Sequence, residues 1–310
     1  MYNFRELCER VIKDYDIPIY FIDEQQFLSV LESVDMYGRF EDIFKIAHNY
    51  LTDNDKNVDD FSQDIRTVTE SIITYIKERP RYSEFCNTDF SRAPFETEIL
   101  GKRYSKCLDI YIQPNVGKEF ISIDLTHANE QTLIISGVTD CTFHDLVSLF
   151  TEDNNLIEYI ANSKHLRQVV YGNTCPKQQA LMERFMTERI VRYLSTIGVK
   201  KEDLVGYTTD EIILRYTDHT FGIASNRFSF IETIKENLGY RVHVDLFRLV
   251  RLEPHAFYVK EHVTRPPKFK NIPKKYFPQA VKRYLNKQIT ENDLRFMLDS
   301  DAVRFEKPLW

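Results

Sequence analysis

Three short stretches of this chain carry residue types that phosphoryl chemistry uses. Ile121-Ser122-Ile123-Asp124-Leu125-Thr126-His127-Ala128-Asn129 ends an alternating apolar run on a carboxylate. Lys164-His165-Leu166-Arg167-Gln168-Val169-Val170-Tyr171-Gly172 sets two cations and a tyrosine at three- and four-residue spacing. Val205-Gly206-Tyr207-Thr208-Thr209-Asp210-Glu211-Ile212-Ile213-Leu214 puts an acidic pair before a second apolar run. Phosphoryl transfer to a hydroxyl asks for little covalent work; two divalent cations that bridge the attacking and leaving oxygens carry most of it. Hard cations take oxygen ligands, commonly one or two carboxylates plus substrate phosphates. Asp124 and Asp210 are therefore the candidate metal ligands, for Mg²⁺ or Mn²⁺, if their strands are neighbours. Glu211 completes the catalytic set as a supporting carboxylate, and it points to the opposite face if the backbone there is extended.

Lys164, Arg167 and Tyr171 share one face if their segment is helical, with Gly172 at its end. Such a face can hold a triphosphate while the ring packs on base or sugar. Each stretch also has a bland reading. A strand-end Asp is commonly a cap or turn residue, and a basic helix face is commonly solvated with its tyrosine tucked into the core.

The elements that must position these residues follow from periodicity. Residues 1 to about 80 read as helices, with apolar residues at helical spacing in Leu7, Val11, Ile12 and in Val68, Ile72, Ile73, Ile76. The acidic stretch Asp53 to Asp64 reads as a solvated loop, and Arg79-Pro80-Arg81 marks a boundary before a junction at 80 to 100. From Cys107 the period becomes two: Leu108 to Ile112, a turn at Pro114 to Gly117, then Phe120 to Ile123, a hairpin ending in Asp124. Helices are expected up to Leu133, over Phe143 to Phe150 and Asn155 to Ala161. A long one runs from Gln179 to Ile197 after Pro176, with Leu181, Phe185, Ile190, Val191 and Leu194 on its apolar side. Leu204 to Tyr216 is strand-like, interrupted by Thr208-Thr209-Asp210-Glu211 as a tight turn or the start of the second strand; Phe228 to Leu238 is helical before Gly239, and Tyr240 to Val263 strand-rich. This order predicts an α+β fold: an antiparallel sheet backed by helices on one face, a helical N-terminal region and a basic C-terminal extension.

With 310 residues and 43% hydrophobic content the chain can bury a sizeable core. It holds no run of eighteen apolar residues, so no membrane span or secretory signal is expected and an intracellular, cytoplasmic setting is. The five cysteines (Cys8, Cys86, Cys107, Cys141, Cys175) show no zinc spacing and read as unpaired thiols in a reducing compartment. The formal charge of −6 argues against a protein that coats nucleic acid, but Arg251 to Lys287 is a basic stripe interleaved with aromatics. Within it Lys268, Lys270, Lys274, Lys275, Lys282 and Arg283 are candidate nucleic-acid contacts. The low glycine count and abundant Lys, Asn, Ile and Tyr fit an A·T-rich genome, a viral one among them.

Asp124-Leu125-Thr126-His127-Ala128-Asn129 resembles the first palm motif of reverse transcriptases, an Asp-Leu followed two residues later by Ala and a sugar-sensing residue. Ser122-Ile123-Asp124 is similar to the corresponding motif of the repair-type (family A) DNA polymerases, and Lys164 to Gly172 to their nucleotide-binding fingers helix. Gly172-Asn173-Thr174-Cys175-Pro176 looks like the Gly-to-Pro loop of reverse transcriptases, one residue shorter. Thr209-Asp210-Glu211 resembles the family A third motif with Thr209 where a His is usual, and Glu232 to Arg248 the helix, glycine and strand that follow that motif in reverse-transcriptase palms. The segments are about 40 and about 45 residues apart, and the resemblance spans Leu108 to Val263. It implies a palm-domain polymerase: Asp124 and Asp210 on Mg²⁺ or Mn²⁺, Lys164 and Arg167 on the incoming triphosphate, Tyr171 beside the base pair. Periodicity and this resemblance together divide the chain into a helical region (1–100), read from periodicity, a palm-like catalytic domain with a small fingers-like segment (101–263) and a basic thumb-like segment (264–310). Palms that synthesise DNA commonly carry a bulky residue at the position of Asn129, which is smaller and can hydrogen-bond a hydroxyl; weak discrimination between ribo- and deoxyribonucleotides is expected.

The function expected is thus a two-metal nucleotidyltransferase that extends a DNA or RNA primer on a template, with nucleoside triphosphates as substrate. A catalytically inactive palm-like nucleic-acid-binding or scaffold subunit is the alternative, and template-independent or protein-primed synthesis a further one.

Overall fold

A computed structural model of the chain describes residues 3–20, 23–35, 39–89, 110–298 and 301–310. Its helical N-terminal part comprises α1 (Phe4–Asp14), α2 (Glu24–Val34), α3 (Arg39–Asp53), α4 (Val58–Lys77) and α5 (Tyr82–Asn87). The acidic stretch expected as a loop is mostly the start of α4. Asn57 and Asp60 close a capping box, and Asp59 and Asp60 occupy the first turn, where carboxylates complement the unpaired amides. Leu7, Val11, Phe61, Ile65, Val68 and Ile72 form one apolar core with Phe143, Leu146, Tyr159, Leu166, Val170 and Tyr171. The latter come from α7 (Phe143–Ser148), α8 (Asn154–Asn162) and α9 (Lys164–Gly172), which follow α6 (Ala128–Ile135).

The remaining elements build a six-stranded antiparallel sheet in the order β2-β3-β1-β4-β5-β6. Its strands are β1 (Glu119–Leu125), β2 (Leu204–Tyr207), β3 (Glu211–Arg215), β4 (Val242–Leu252), β5 (Phe257–His262) and β6 (Lys268–Lys270). After β1 the chain runs through α6 to α9 and α10 (Pro176–Thr196) to β2. After β3 it runs through α11 (Phe221–Ser225) and α12 (Arg227–Leu238) to β4. Each crossover thus leaves one strand between the two it joins, two interleaved split β-α-β units.

Alternation sorts the strand residues onto two faces. Ile121, Ile123, Leu125, Ile212, Leu214, Val242 and Val244 join Met182, Met186, Ile190 and Leu194 of α10 and Phe230 and Ile234 of α12 in a second core. On the other face Phe120, Ile213, Phe247, Leu249 and Tyr258 gather around Ile110. The buried side of α10 is Met182, Met186, Ile190, Val191 and Leu194, whereas Leu181, expected inside, is exposed.

The expected hairpin before β1 is absent from the described residues; Leu108 and Asp109 lie outside them. Ile110 to Ile112 is not a strand, because both edges of β1 are already taken, by β3 and by β4. Ile110 packs instead on the sheet face, and Gly117 N donates to Leu249 O at 2.7 Å. The C-terminal part adds α13 (Phe277–Tyr284), α14 (Glu291–Leu294) and the ribbon β7 (Arg295–Leu298) and β8 (Asp301–Arg304). The four described cysteines are free, and no described helix is long and apolar enough to cross a membrane.

Candidate active site

Strand register brings the acidic residues together. Asp124 lies directly opposite Glu211 on β3 and His243 on β4. Asp210 sits in the exposed turn between β2 and β3, and its carbonyl accepts from Leu125 N at 2.8 Å, one residue beyond Asp124. That turn is clamped. Thr208 Oγ1 donates to Asp210 Oδ1 and accepts from Glu211 N, both at 2.9 Å, and Thr187 of α10 donates to Thr209 O at 2.6 Å. The hairpin needs glycine at Gly206, where a Cβ would stand 2.9 Å from that of Ile213.

The turn after Asp124 is fixed as firmly. Gln131 donates to Arg241 O and accepts from Arg241 N, tying α6 to the start of β4. Glu130 accepts from Arg241 Nη2 at 2.6 Å and from Phe143 N at 2.8 Å. Burial opposes its charge, but these donors and His127 bring its carboxyl down to about 2.

The three carboxylates differ in what neutralises them. Glu211 accepts from Lys260 Nζ at 2.7 Å and from Ser122 Oγ at 2.5 Å. Although burial disfavours its charge, Lys260 holds this carboxyl below the usual range. Lys260 in turn lies 4.7 Å from the Phe247 ring centroid. Asp124, whose side chain is 29% exposed, has its nearest cation, Arg265 Nη1, at 4.0 Å. Burial, then the charges of Glu211 and Asp210, push its carboxyl up, with Lys268 and Arg265 in partial opposition. Glu211 and Asp124 therefore face the same way, against the expectation that Glu211 turns from the site: β3 starts at Glu211, so pairing with Asp124 sets its side. Nearby on α10, buried Glu183 is raised to about 7, by burial first and then by Asp210.

A second polar group adjoins the first. Asp245, next to His243 on the same face of β4, is 1% exposed. It accepts from Thr264 Oγ1 at 3.0 Å, and its Oδ2 lies 2.9 Å from His262 Nδ1 and 3.0 Å from Arg265 Nε. These contacts outweigh burial and lower its carboxyl.

The other predicted residues fare unequally. In α9 Lys164 is exposed and Arg167 half-buried, but Tyr171 turns inward with Leu166 and Val170 and packs on Phe143 at 5.7 Å. Its ring belongs to the core and is not open to a base pair, because a nine-residue helix wedged against α4 and α8 needs that face for packing. Asn129 is half-buried, and its Nδ2 donates to Gln179 Oε1 at 3.1 Å. Of the basic stripe, Lys268, Lys270 and Arg283 are exposed. Lys274 lies over the Tyr20 ring, and Lys275 near those of Tyr276 and Phe296. Lys282 is not a surface contact: it is 6% exposed and donates to buried Asp293 at 2.6 Å. The α13 helix packs on α2 through its inner side, so a charge there must be paired.

Among the described residues no three His, Cys, Asp or Glu side chains converge as a metal-ligand set. Asp124 and Asp210 supply two carboxylates, the number that magnesium commonly takes from protein when phosphates supply the rest. Burial and then repulsion by Glu211 and Asp210 raise Asp124, and a cation there would relieve the repulsion, so the donor set fits a metal that arrives with a phosphate.

Sequence reasoning missed Ser122, Glu183, His243, Asp245 and His262, and assigned Lys260 and Arg265 only to the stripe. The polar pairs His243/Asp245 and Lys260/His262, each at spacing two in a strand, were the available signal. Compared with known family models, curated proteins and solved structures, the chain matches none.

Proposed function

We propose that the polar end of the open sheet face is a nucleotidyl-transfer site on a palm-like sheet, and that the protein extends a nucleic-acid primer from nucleoside triphosphates. The observation that carries this reading is the meeting of Asp124, at the end of β1, with the clamped Asp210 turn of the β2–β3 hairpin, on a sheet whose other face is covered by α10 and α12. Mg²⁺ or Mn²⁺ bound by Asp124 and Asp210 would polarise the phosphoryl oxygens and acidify the attacking hydroxyl. The chain's own part is orientation. Thr208 fixes the Asp210 carboxylate, Glu130 and Gln131 fix the turn after Asp124, and Lys260 holds Glu211 charged. Asn129, whose Nδ2 donates to Gln179, is the residue this reading sets at the sugar.

Primer extension with Mg²⁺ or Mn²⁺ is the test. Asp124→Ala and Asp210→Ala should each lose about a thousandfold in rate, as expected for several kcal/mol of lost charge stabilisation. Extension by these variants at wild-type rate, or none by the wild type, overturns the reading. Extension without a template strand would mark the enzyme as template-independent or protein-primed. Ribo- and deoxyribonucleotides should be used at comparable rates; a preference of about a hundredfold for deoxyribonucleotides, roughly 2.7 kcal/mol, would remove the role of Asn129.

One observation favours a catalytically inactive nucleic-acid-binding or scaffold subunit. Lys260 and Arg265 already sit on or beside two of the three carboxylates. On that reading Lys268, Lys270 and Arg283 meet a phosphate backbone, and nucleoside triphosphates with Mg²⁺ leave the melting temperature unchanged.

A further inference from the structure

We infer that Arg265 and Lys268, carried by the segment that joins β5 to β6, form the phosphate-binding arm of this site, in place of Lys164 and Arg167 of α9, with Asp245 as its positioning residue. The inference rests on the proposed site in taking the phosphates to be those of a nucleoside triphosphate or of the pyrophosphate it releases.

Arg265 is held from behind. Its Nε lies 3.0 Å from Asp245 Oδ2 and donates to His262 Nδ1 at 3.3 Å, and Thr264 Oγ1 anchors the Asp245 carboxylate at 3.0 Å in a setting where an unpaired charge would be costly. Its outer nitrogen Nη1 stops 4.0 Å from Asp124 Oδ2, beyond hydrogen-bond distance. A guanidinium fork fixed at one side and open at the other is suited to a phosphate, whose oxygens match its geometry. Lys268 stands beside it. It is exposed, has no carboxylate within ion-pair distance among the described residues, and pairs in the β5–β6 register with Lys260, whose Nζ is 2.7 Å from Glu211. Lys260, the remaining cation here, is 3% exposed and committed to Glu211. The cations that register brings to Asp124 thus come from the far edge of the sheet.

Among the described residues four carboxylates (Asp124, Asp210, Glu211, Asp245) face three cations (Lys260, Arg265, Lys268), so a phosphate carrying its own metal is the suitable probe. Calorimetry with Mg²⁺-pyrophosphate should show binding by the wild type. Arg265→Ala and Lys268→Ala should each weaken it about tenfold, the size of one charge-assisted hydrogen bond. Arg265→Lys should recover part of the loss, and the double variant Lys164→Ala/Arg167→Ala should stay within about twofold of wild type, below one such bond. Asp245→Asn should weaken binding in the wild type and add nothing in Arg265→Ala, a pattern that general destabilisation would not give. If Arg265→Ala fails to fold, exposed Lys268 carries the test.

Loss of binding in the α9 double variant with retention in both arm variants overturns the inference, as does absence of pyrophosphate binding by the wild type. Binding that depends on Arg265 in a protein that extends no primer sustains the arm and removes the polymerase reading. Primer extension whose KM for triphosphate ignores Arg265 and Lys268 does the reverse.

Discussion

Ile121, Ile123 and Leu125 of β1 point toward α10 and α12, while Phe120, Ser122 and Asp124, interleaved with them, point the other way. One face is sealed by apolar volume; the other is apolar only at its Phe120–Phe247 end and becomes ionic toward Asp124. A buried charge is tolerated where a partner meets it, and on the open face the other carboxylates are so met: Glu211 by Lys260, Asp245 by Arg265. Asp124 is the exception, with the carboxylates of Glu211 and Asp210 acting on it and its nearest described cation held off. Charge left unbalanced inside an otherwise paired network is the mark of a place kept for something else.

Lys260→Met breaks this comparison most severely. Glu211 would keep Ser122 but lose its ammonium, and removal of one member of a buried pair costs about 3–5 kcal/mol. In the wild type the carboxyl of Glu211 is lowered, so its contribution is present above the ordinary glutamate pKa and is lost as pH falls through the lowered value. In the variant the orphaned carboxyl protonates readily, and the deficit measured by urea unfolding should shrink between pH 7 and pH 5. A deficit independent of pH would mean that Lys260 acts through packing on Phe247 alone.

How much of this was legible in sequence depends on whether local pattern or long-range pairing decides. The alternation Ile121-Ser122-Ile123-Asp124 announces both faces of β1, and Gly239 after a helical run ends α12 as read, in the left-handed backbone. The antiparallel sheet followed from element order. The strand expected at 108–112 failed because pattern cannot count the free edges of a neighbour. The orientation of Glu211 hung on whether Thr208 to Glu211 is turn or strand, and the turn over Thr208 to Asp210 resets the alternation. Arg265 and Lys268 were visible as charges, but only the register of β4, β5 and β6 carries them to Asp124.

Glu183 tests the sealed face. It is a carboxyl on the buried side of α10, raised to about 7 by burial and by Asp210. Because its folded value lies above its unfolded one, its contribution is fully present below the ordinary carboxyl pKa and is lost as pH rises through about 7. Glu183→Gln should therefore match the wild type near pH 5 and be more stable at pH 9, by up to about 3 kcal/mol. Equal stability of the two proteins at both values would show that this carboxyl is solvated.

The smallest effect separates α9 from the sheet. Tyr171 is fully buried, its hydroxyl has no hydrogen-bond partner among the described residues, and burial drives its phenol far above the usual range. Tyr171→Phe removes an unsatisfied donor and keeps the ring against Phe143, so it should stabilise the fold by about 1 kcal/mol. Triphosphate affinity should not change, since a ring inside the core reaches no ligand. Tyr171→Ala could not make this distinction, because the cavity it leaves would cost about 3–5 kcal/mol whatever the ring does. A Tyr171→Phe protein of unchanged stability but weakened triphosphate binding would instead bring α9 to the site, and with it Lys164 and Arg167 at the expense of Arg265.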